Sequence, residues 1–84
     1  MTIAFTDQAW DDYLYWQKTD QSKLKKINKL IKAIKHHPFQ GPGKPEPLHF
    51  QLKGCWSRRI DYEHRLVYRY SEDEIIILSC RFHY

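Results

Sequence analysis

Three side chains of this chain have the types needed for acid–base chemistry on a phosphodiester. Glu46 stands between prolines in Lys44-Pro45-Glu46-Pro47-Leu48, Arg65 lies in an apolar alternating segment, and His83 is the penultimate residue. RNA carries its own nucleophile, the 2′-hydroxyl, so its cleavage needs a base, an acid and cations that stabilise the phosphorane. We predict Glu46 as the base, His83 as the acid and Arg65 as a cation for the phosphate oxygens.

Each residue type suits its predicted role. Prolines restrict the backbone on both sides of Glu46, so little entropy is lost in aiming its carboxylate. An imidazole can donate a proton at cellular pH, and the guanidinium groups of Arg65 and Arg59 match phosphate geometry. Tyr84 is expected to stack on a base or to help place His83. This chemistry requires no metal, the Cys and His spacing predicts no zinc site, and we predict no cofactor.

Each of these residues also has a purely structural interpretation. Glu46 could be a solvated loop carboxylate, His83 could belong to a frayed terminus, and Arg65 could pair with Glu63 or Asp61. The lysines of the second helix could simply keep the surface soluble. Residue types alone therefore predict only a basic domain with a possible RNA-binding sheet.

Composition sets the class of partner that we expect. The chain has 14 Lys and Arg against 10 Asp and Glu, a formal net charge of +4, which favours a polyanion or an acidic protein. Neither a signal peptide nor an apolar run of about 18 residues is apparent. We therefore expect a cytoplasmic protein without membrane contact, forming a single domain over residues 1–84. Of its two cysteines, Cys80 should lie in the core.

Hydrophobic periodicity predicts the elements that must position the site. Residues 2–6 alternate as a strand, Asp7 should cap a helix to about Lys18, and Asp20 or Ser22 should cap a second helix to about His36. Further strands are predicted near residues 48–52, 55–62, 63–70 and 74–82. The predicted fold class is α+β: an N-terminal strand and an antiparallel two-helix hairpin packed on one face of a mainly antiparallel sheet of about five strands.

The alternation of each strand then assigns side chains to the two sheet faces. We expect the helical face to include Ala9, Trp10, Tyr13, Leu14 and Trp16 of the first helix and Leu24, Ile27, Leu30, Ile31 and Ile34 of the second. From the sheet it should include Trp56, Arg58, Ile60, Tyr62, Leu66, Tyr68, Tyr70, Ile76, Leu78, Cys80 and Phe82. The open face should then carry Arg59, Arg65, Arg81 and His83. Such a cationic face suits a phosphate backbone.

Five segments together resemble one family. They are residues 10–16 (WDDYLYW), 44–48 (KPEPL), 56–60 (WSRRI), 63–68 (EHRLVY) and 80–84 (CRFHY). In type and spacing they are similar to the YoeB toxins of the RelE/ParE superfamily, over essentially the whole chain. The resemblance implies the RelE-like microbial RNase fold and a ribosome-dependent mRNA endonuclease that cuts mRNA in the ribosomal A site and stops translation.

The resemblance also implies roles and partners. The general base falls on Glu46, the acid on His83 and the phosphate-stabilising arginine on Arg65, while Arg59 and Tyr84 match supporting positions and Lys44 and His49 lie where substrate is expected. The partners would be a YefM-like antitoxin, the bacterial ribosome with its mRNA, a second copy in a homodimer, and operator DNA only through the antitoxin complex. His49 stands where the family commonly has lysine, so we expect weaker binding or rate at high pH.

Two other functions remain open at this stage. One is a ParE-like toxin of the same fold that inhibits DNA gyrase by binding, which would not need Glu46, Arg65 and His83 together. The other is a non-catalytic RNA-binding or regulatory module, in which His83→Gln would weaken binding without any loss of cleavage.

Overall fold

Two helices and five short strands follow one another along residues 1–82, the residues that this computed structural model describes. They are strand β1 (Thr2–Phe5), helices α1 (Asp7–Thr19) and α2 (Gln21–His36), strand β2 (Glu46–Pro47), a 3-10 helix (Phe50–Leu52), and strands β3 (Trp56–Arg59), β4 (Arg65–Tyr70) and β5 (Glu74–Ser79). The sheet order is β1-β5-β4-β3-β2. β1 runs parallel to β5, and the other neighbours are antiparallel. The predicted fold class is confirmed, with a mixed sheet. Neither helix could span a membrane within the described residues.

The helices begin at side-chain caps. The Thr6 hydroxyl oxygen accepts a hydrogen bond from the Ala9 backbone N–H at 3.1 Å, so the cap is Thr6 and the prediction of Asp7 was wrong by one residue. Asp20 caps α2 by accepting from the backbone N–H groups of Ser22 and Lys23. The hydrogen bond from the Ser22 hydroxyl, followed by these backbone bonds, lowers the Asp20 pKa. Each cap satisfies N–H groups that have no partner within the helix.

The main core lies between the helices and the sheet. The predicted stripe of α2 is confirmed, with Ile27, Leu30, Ile31 and Ile34 buried and Leu24 packed against them. On α1, Ala9 and Trp16 are buried, whereas Trp10 and Leu14 remain 48% and 40% exposed. Both were predicted for the core and remain largely exposed, although the Trp10 ring contacts Phe5 and Tyr13 at the edge of the core. Cys80 is buried as expected, and burial, with the nearby Asp12 charge, raises its pKa to about 12.

The predicted faces of β5 were partly wrong. Ile75 and Ile77 join the main core, and Leu78 packs on the opposite side of the sheet. The cause is a bulge: Tyr68 is opposite Ile77 while its neighbour Val67 is opposite Ser79, which leaves Leu78 as an extra residue. A bulge changes the alternation of side chains, so Cys80 returns to the core although it shares sequence parity with Leu78. The strand also ends at Ser79, not at residue 82.

The strand predicted near residues 48–52 lies elsewhere. Glu46 and Pro47 form the edge strand β2, opposite Ser57 and Trp56, and residues 50–52 turn into the 3-10 helix. Proline is tolerated on an edge strand because no neighbour needs its missing N–H. Beyond β2 the chain folds over the open sheet face and forms a second small core of Leu48, Leu52, Cys55, Val67 and Leu78.

Candidate active site

The edge strand β2 places Glu46 on the open face of the sheet. Glu46 is directly opposite Ser57 in the ladder, and paired residues of neighbouring strands point to the same side. Its exposed side chain lines a groove of about 370 Å³ with Pro47, Leu48, His49, Phe50 and Leu52. The carboxylate is thus accessible, at the border between an apolar depression and the rest of the open face.

The strand register brings two arginines to the same face. Arg59 follows Ser57 by two residues and is directly opposite Arg65, so Glu46, Arg59 and Arg65 all point away from the helices. Strand spacing of about 5 Å and a rise of about 3.3 Å per residue place the Glu46 Cα about 8 Å from that of Arg59 and about 12 Å from that of Arg65. Side chains of this length can reach a common phosphate across those separations.

The guanidinium group of Arg65 is held by the turn that precedes β4. Its Nη1 donates to the carbonyl oxygens of Asp61 and His64, at 2.9 and 3.2 Å. The Asp61 carboxylate accepts from the backbone N–H groups of Glu63 and His64, each at 2.7 Å, and lies 2.7 Å from Lys23 Nζ. Arg65 thus contacts only the backbone carbonyl of Asp61, whose carboxylate contacts Lys23. Among residues 1–82, Arg65 forms no ion pair with Asp61 or Glu63.

The charge of Asp61 is strongly stabilised in the folded chain. Partial burial acts to raise its pKa, but the hydrogen bonds from Lys23 and from the backbone of His64 and Glu63 outweigh it, and the pKa falls to about 2. Those same bonds define the turn from which Arg65 leaves, so the ionised carboxylate contributes to the position of the arginine.

The loop before β2 is attached to β3 at two points. The Arg59 N–H donates to the Gly43 carbonyl at 2.7 Å. The buried Arg58 guanidinium donates to the carbonyl oxygens of His37, Gln40 and Pro42. Arg58 is therefore a structural arginine that shapes the Pro/Gly loop leading to Glu46, whereas the adjacent Arg59 is exposed on the open face.

The chain after β5 is held by hydrogen bonds from two other elements. The Cys80 N–H donates to Asp12 Oδ2 at 3.0 Å, and the Cys80 carbonyl accepts from Trp16 Nε1 at 2.8 Å. The Phe82 N–H donates to His64 Nδ1 at 2.7 Å, and its carbonyl accepts from the Arg65 N–H at 3.0 Å. The last described residue thus lies against the first residue of β4.

Several predicted site residues are therefore gathered, and others are not. Glu46, Arg59 and Arg65 share the open face, His49 lines the groove beside Glu46, and Lys44 is exposed two residues before Glu46. Arg81 was placed on that face by sequence, but its guanidinium lies 3.5 Å above the Tyr15 ring of α1. The early end of β5 explains this difference, since the alternation no longer applies beyond Ser79. His83 and Tyr84 lie outside the described residues.

Sequence reasoning missed the residues that hold the terminal segment. Trp16 was predicted to be buried, but its hydrogen bond to Cys80 was not. Asp12, buried on α1, and His64, buried immediately before β4, were not identified. Helical spacing from Ala9 puts Asp12 on the inner face, and strand parity with Leu66 does the same for His64. A polar side chain on an apolar face must find a partner, and that signal could have identified both.

Two further aromatic rings are almost fully exposed. Phe50, in the 3-10 helix, is 92% exposed and was not singled out. Tyr62 is 90% exposed; it was predicted for the helical face, but β3 ends at Arg59 and Tyr62 lies in the turn before β4. Neither ring supports a core, and exposed rings of this kind are suited to stacking on bases. As for metals, residues 1–82 contain no group of three or more His, Cys, Asp or Glu side chains placed to bind one.

Comparison with known proteins gives the chain its family. Residues 5–84 match the family model for the YoeB-like toxin of bacterial type II toxin–antitoxin systems. The Synechocystis toxin YoeB is 58% identical over 84 residues, which cover all of this chain and 98% of the relative. A YoeB/ParE toxin structure from Agrobacterium tumefaciens is 50% identical and superimposes with a TM-score of 0.96 over the full length of both chains.

A Staphylococcus aureus relative has been solved in two assemblies. As a YoeB dimer it is 47% identical with a TM-score of 0.94, and in a heterotetrameric YoeB–YefM toxin–antitoxin complex it is 47% identical with a TM-score of 0.92. Each comparison covers all of this chain and 98% of the other. On this evidence the chain belongs to the family of YoeB-like toxins of bacterial type II toxin–antitoxin systems.

Proposed function

We propose that this toxin is an endoribonuclease that cuts mRNA in the A site of the bacterial ribosome and so inhibits translation. The observation that carries the proposal is the register of β2, β3 and β4, which puts Glu46, Arg59 and Arg65 on one open face. A carboxylate beside two guanidinium groups fits the needs of a phosphodiester whose nucleophile is its own 2′-hydroxyl.

In the proposed reaction, Glu46 takes the proton of the 2′-hydroxyl as its oxygen bonds to phosphorus. Arg65 and Arg59 stabilise the charge on the non-bridging oxygens. The bond from phosphorus to the 5′-oxygen breaks, and His83 donates a proton to that oxygen. The products are a 2′,3′-cyclic phosphate, or the 3′-phosphate formed from it, and a 5′-hydroxyl. No metal enters this sequence of steps.

Supporting roles are proposed for three further residues. His49 and Lys44 would bind RNA on the β2 side, and Tyr84 would stack on a base or orient His83. Four exposed lysines of α2, Lys25, Lys29, Lys32 and Lys35, lie on the opposite layer and suit ribosomal RNA. Affinity for the ribosome should therefore decrease as ionic strength rises, because phosphate contacts release counterions.

The partners follow from the family. By analogy with the Staphylococcus aureus assemblies, this chain forms a homodimer and binds a YefM-like antitoxin. An antitoxin segment that is disordered when free would fold over the basic surface. Operator DNA would be bound only through the antitoxin complex.

Primer extension on translated mRNA tests the activity. Wild-type toxin should cut within ribosome-occupied codons, and Glu46→Ala, Arg65→Ala or His83→Gln should abolish cutting and relieve growth arrest while the protein stays folded. Equal cutting of naked RNA would contradict ribosome dependence. Growth arrest that persists in Glu46→Ala, accompanied by gyrase inhibition, would favour the ParE-like alternative. If the wild-type toxin binds RNA without cutting it, and His83→Gln weakens only that binding, the non-catalytic alternative would be favoured.

A further inference from the structure

The terminal segment leaves the sheet before it reaches the candidate acid. β5 ends at Ser79, so residues 80–82 are not positioned by a regular ladder. Their backbone is held instead by Asp12 and Trp16 at Cys80, and by His64 and Arg65 at Phe82. Chain termini usually fray unless they are tied down, and here each tie is a specific hydrogen bond.

His64 is the side chain that holds the last described residue. Its Nδ1 accepts the Phe82 N–H at 2.7 Å, and its ring meets the Trp16 indole edge to face with centroids 4.8 Å apart. Only 8% of the residue is exposed. An Nδ1 that accepts must carry no proton, so the ring is the neutral form with hydrogen on Nε2. Nε2 lies 3.7 Å from Glu63 Oε1.

Phe82 has a backbone conformation that an aromatic residue rarely adopts. Its φ is +64°, in the left-handed region that disfavours residues with a Cβ. Such a conformation persists only where surrounding contacts enforce it. The two bonds at Phe82, from its N–H to His64 and to its carbonyl from Arg65, are those contacts. They fix the backbone of the last described residue, which precedes the proposed acid in the sequence.

We infer that His64 is a positioning residue for the proposed acid: its unprotonated Nδ1 holds the backbone of Phe82, the residue before His83 in the sequence, in the left-handed conformation, and proton donation by His83 depends on that bond. The inference rests on the proposed function. His64 touches no reacting atom and transfers no proton. Its effect is confined to the step in which the bond from phosphorus to the 5′-oxygen breaks and that oxygen is protonated.

Two substitutions test separately the hydrogen-bond acceptor and the aromatic ring of His64. His64→Asn keeps an acceptor at nearly the same distance from the backbone as Nδ1, whereas His64→Phe keeps a ring against Trp16 but has no acceptor. Because general-acid catalysis contributes 10²- to 10⁴-fold, we expect His64→Phe to lower the single-turnover rate at saturating ribosomes by about 100-fold. His64→Asn should stay within about tenfold of wild type. The ribosome concentration that gives half of the maximal rate should change less than about twofold in both variants, since the phosphate-binding arginines are intact.

A modified substrate identifies the affected step. A bridging 5′-phosphorothiolate in the A-site codon leaves as a thiolate, which needs no proton from an acid. On this substrate His64→Phe should cleave within about threefold of wild type, because its defect concerns only the acid. Glu46→Ala should remain inactive, because the 2′-hydroxyl still needs a base. Equal slowing of His64→Phe on both substrates, or His64→Asn as slow as His64→Phe, would overturn the inference.

The proposed function has its own control in the same assay. His83→Gln should also recover on the phosphorothiolate; if it does not, the acid assignment of His83 fails, independently of His64.

If His64→Phe does not fold, as judged by circular dichroism, the Phe82 N–H can be removed directly. Ligation of a synthetic Cys80–Tyr84 peptide at Cys80 allows the Arg81–Phe82 peptide bond to be replaced by an ester, with every side chain kept. That protein should show the same recovery on the phosphorothiolate, and a defect of equal size on both substrates would refute the role of this hydrogen bond.

Discussion

The adjacent arginines of β3, Arg58 and Arg59, should affect different properties of the protein when each is replaced by methionine. Arg58 is fully buried and donates to Tyr68 Oη and to the carbonyl oxygens of His37, Gln40 and Pro42. Arg59 is exposed on the open face. Arg58→Met should therefore destabilise the fold, whereas Arg59→Met should reduce cleavage and leave stability unchanged.

The magnitude follows from the contacts that Arg58 makes. A hydrogen bond is worth about 1 kcal/mol net, and more when the donor is charged. The loop carbonyls that lose their partner lie near the surface and can bind water, so we use the lower value for each of four bonds. Methionine retains most of the apolar stem. The free energy of unfolding should fall by about 3–4 kcal/mol, which for a domain of this size corresponds to roughly 15–25 °C in Tm.

Urea unfolding followed by tryptophan fluorescence measures both variants. Arg59→Met should lie within about 0.5 kcal/mol of wild type, as expected for an exposed side chain. In the ribosome-dependent cleavage assay it should be slower by about tenfold or more, since it removes a charge from the phosphate site. A loss below about 1 kcal/mol for Arg58→Met, or equal losses in the two variants, would refute the assignment of loop shaping to one arginine and substrate contact to the other.

Three further predictions concern other residues. Gly43→Ala should lower the free energy of unfolding in urea by about 2 kcal/mol, because φ is +87° and a Cβ would lie 3.0 Å from Arg58 Cβ and Leu30 Cδ2. Gly54→Ala is the control, since Gly54 has φ of +95° but open space around it. It should cost only about 1 kcal/mol. Asp61→Asn should cost about 1–2 kcal/mol at pH 7. The folded pKa of Asp61 is lowered from 3.8 to about 2, so its contribution is present above the unfolded value and is lost as pH falls through 2. The difference between the two proteins should therefore shrink as pH falls from 4 to 2 and vanish below pH 2, and a constant difference across pH would contradict this. Phe50→Ala should keep Tm within about 2 °C of wild type, since the ring is 92% exposed, and should raise half-saturation for the programmed ribosome, because base stacking is worth about 1–3 kcal/mol; unchanged half-saturation would exclude Phe50 from substrate binding.

Periodicity predicted the layers of the fold because the apolar stripe of α2 and the alternation of β4 are each unambiguous. It failed where the pattern carried no information. Residues 75–78 are all apolar, so the faces of β5 depend on a bulge opposite Val67 and Tyr68 that only the paired strand reveals. The strand near residues 48–52 was wrongly predicted because Phe50 has a left-handed conformation, with φ of +57°. A glycine at that position would have indicated a turn, but the sequence has phenylalanine there.

The candidate site could also be predicted from the sequence only in part. The alternation of β3 and β4 was sufficient to predict that Arg59 and Arg65 share the open face. Glu46 was linked to them only by its chemistry and by the family resemblance, because the short edge strand that carries it was not predicted. The roles of Arg58 and His64 could not be read from spacing, since each depends on loop or terminal backbone groups that are distant in sequence. Both are buried polar residues on the helical face, and their partners appear only once the chain is folded.

A structure of the toxin bound to a ribosome programmed with a 2′-O-methyl A-site codon tests the central claim most directly, because the methyl group blocks the nucleophile and traps the substrate. We predict one phosphate between the Glu46 carboxylate and the Arg65 guanidinium, with the modified 2′-oxygen nearest Glu46 and the 5′-oxygen nearest His83. An A-site mRNA that approaches another surface of the toxin, or a phosphate contacted by neither Glu46 nor Arg65, would contradict the account.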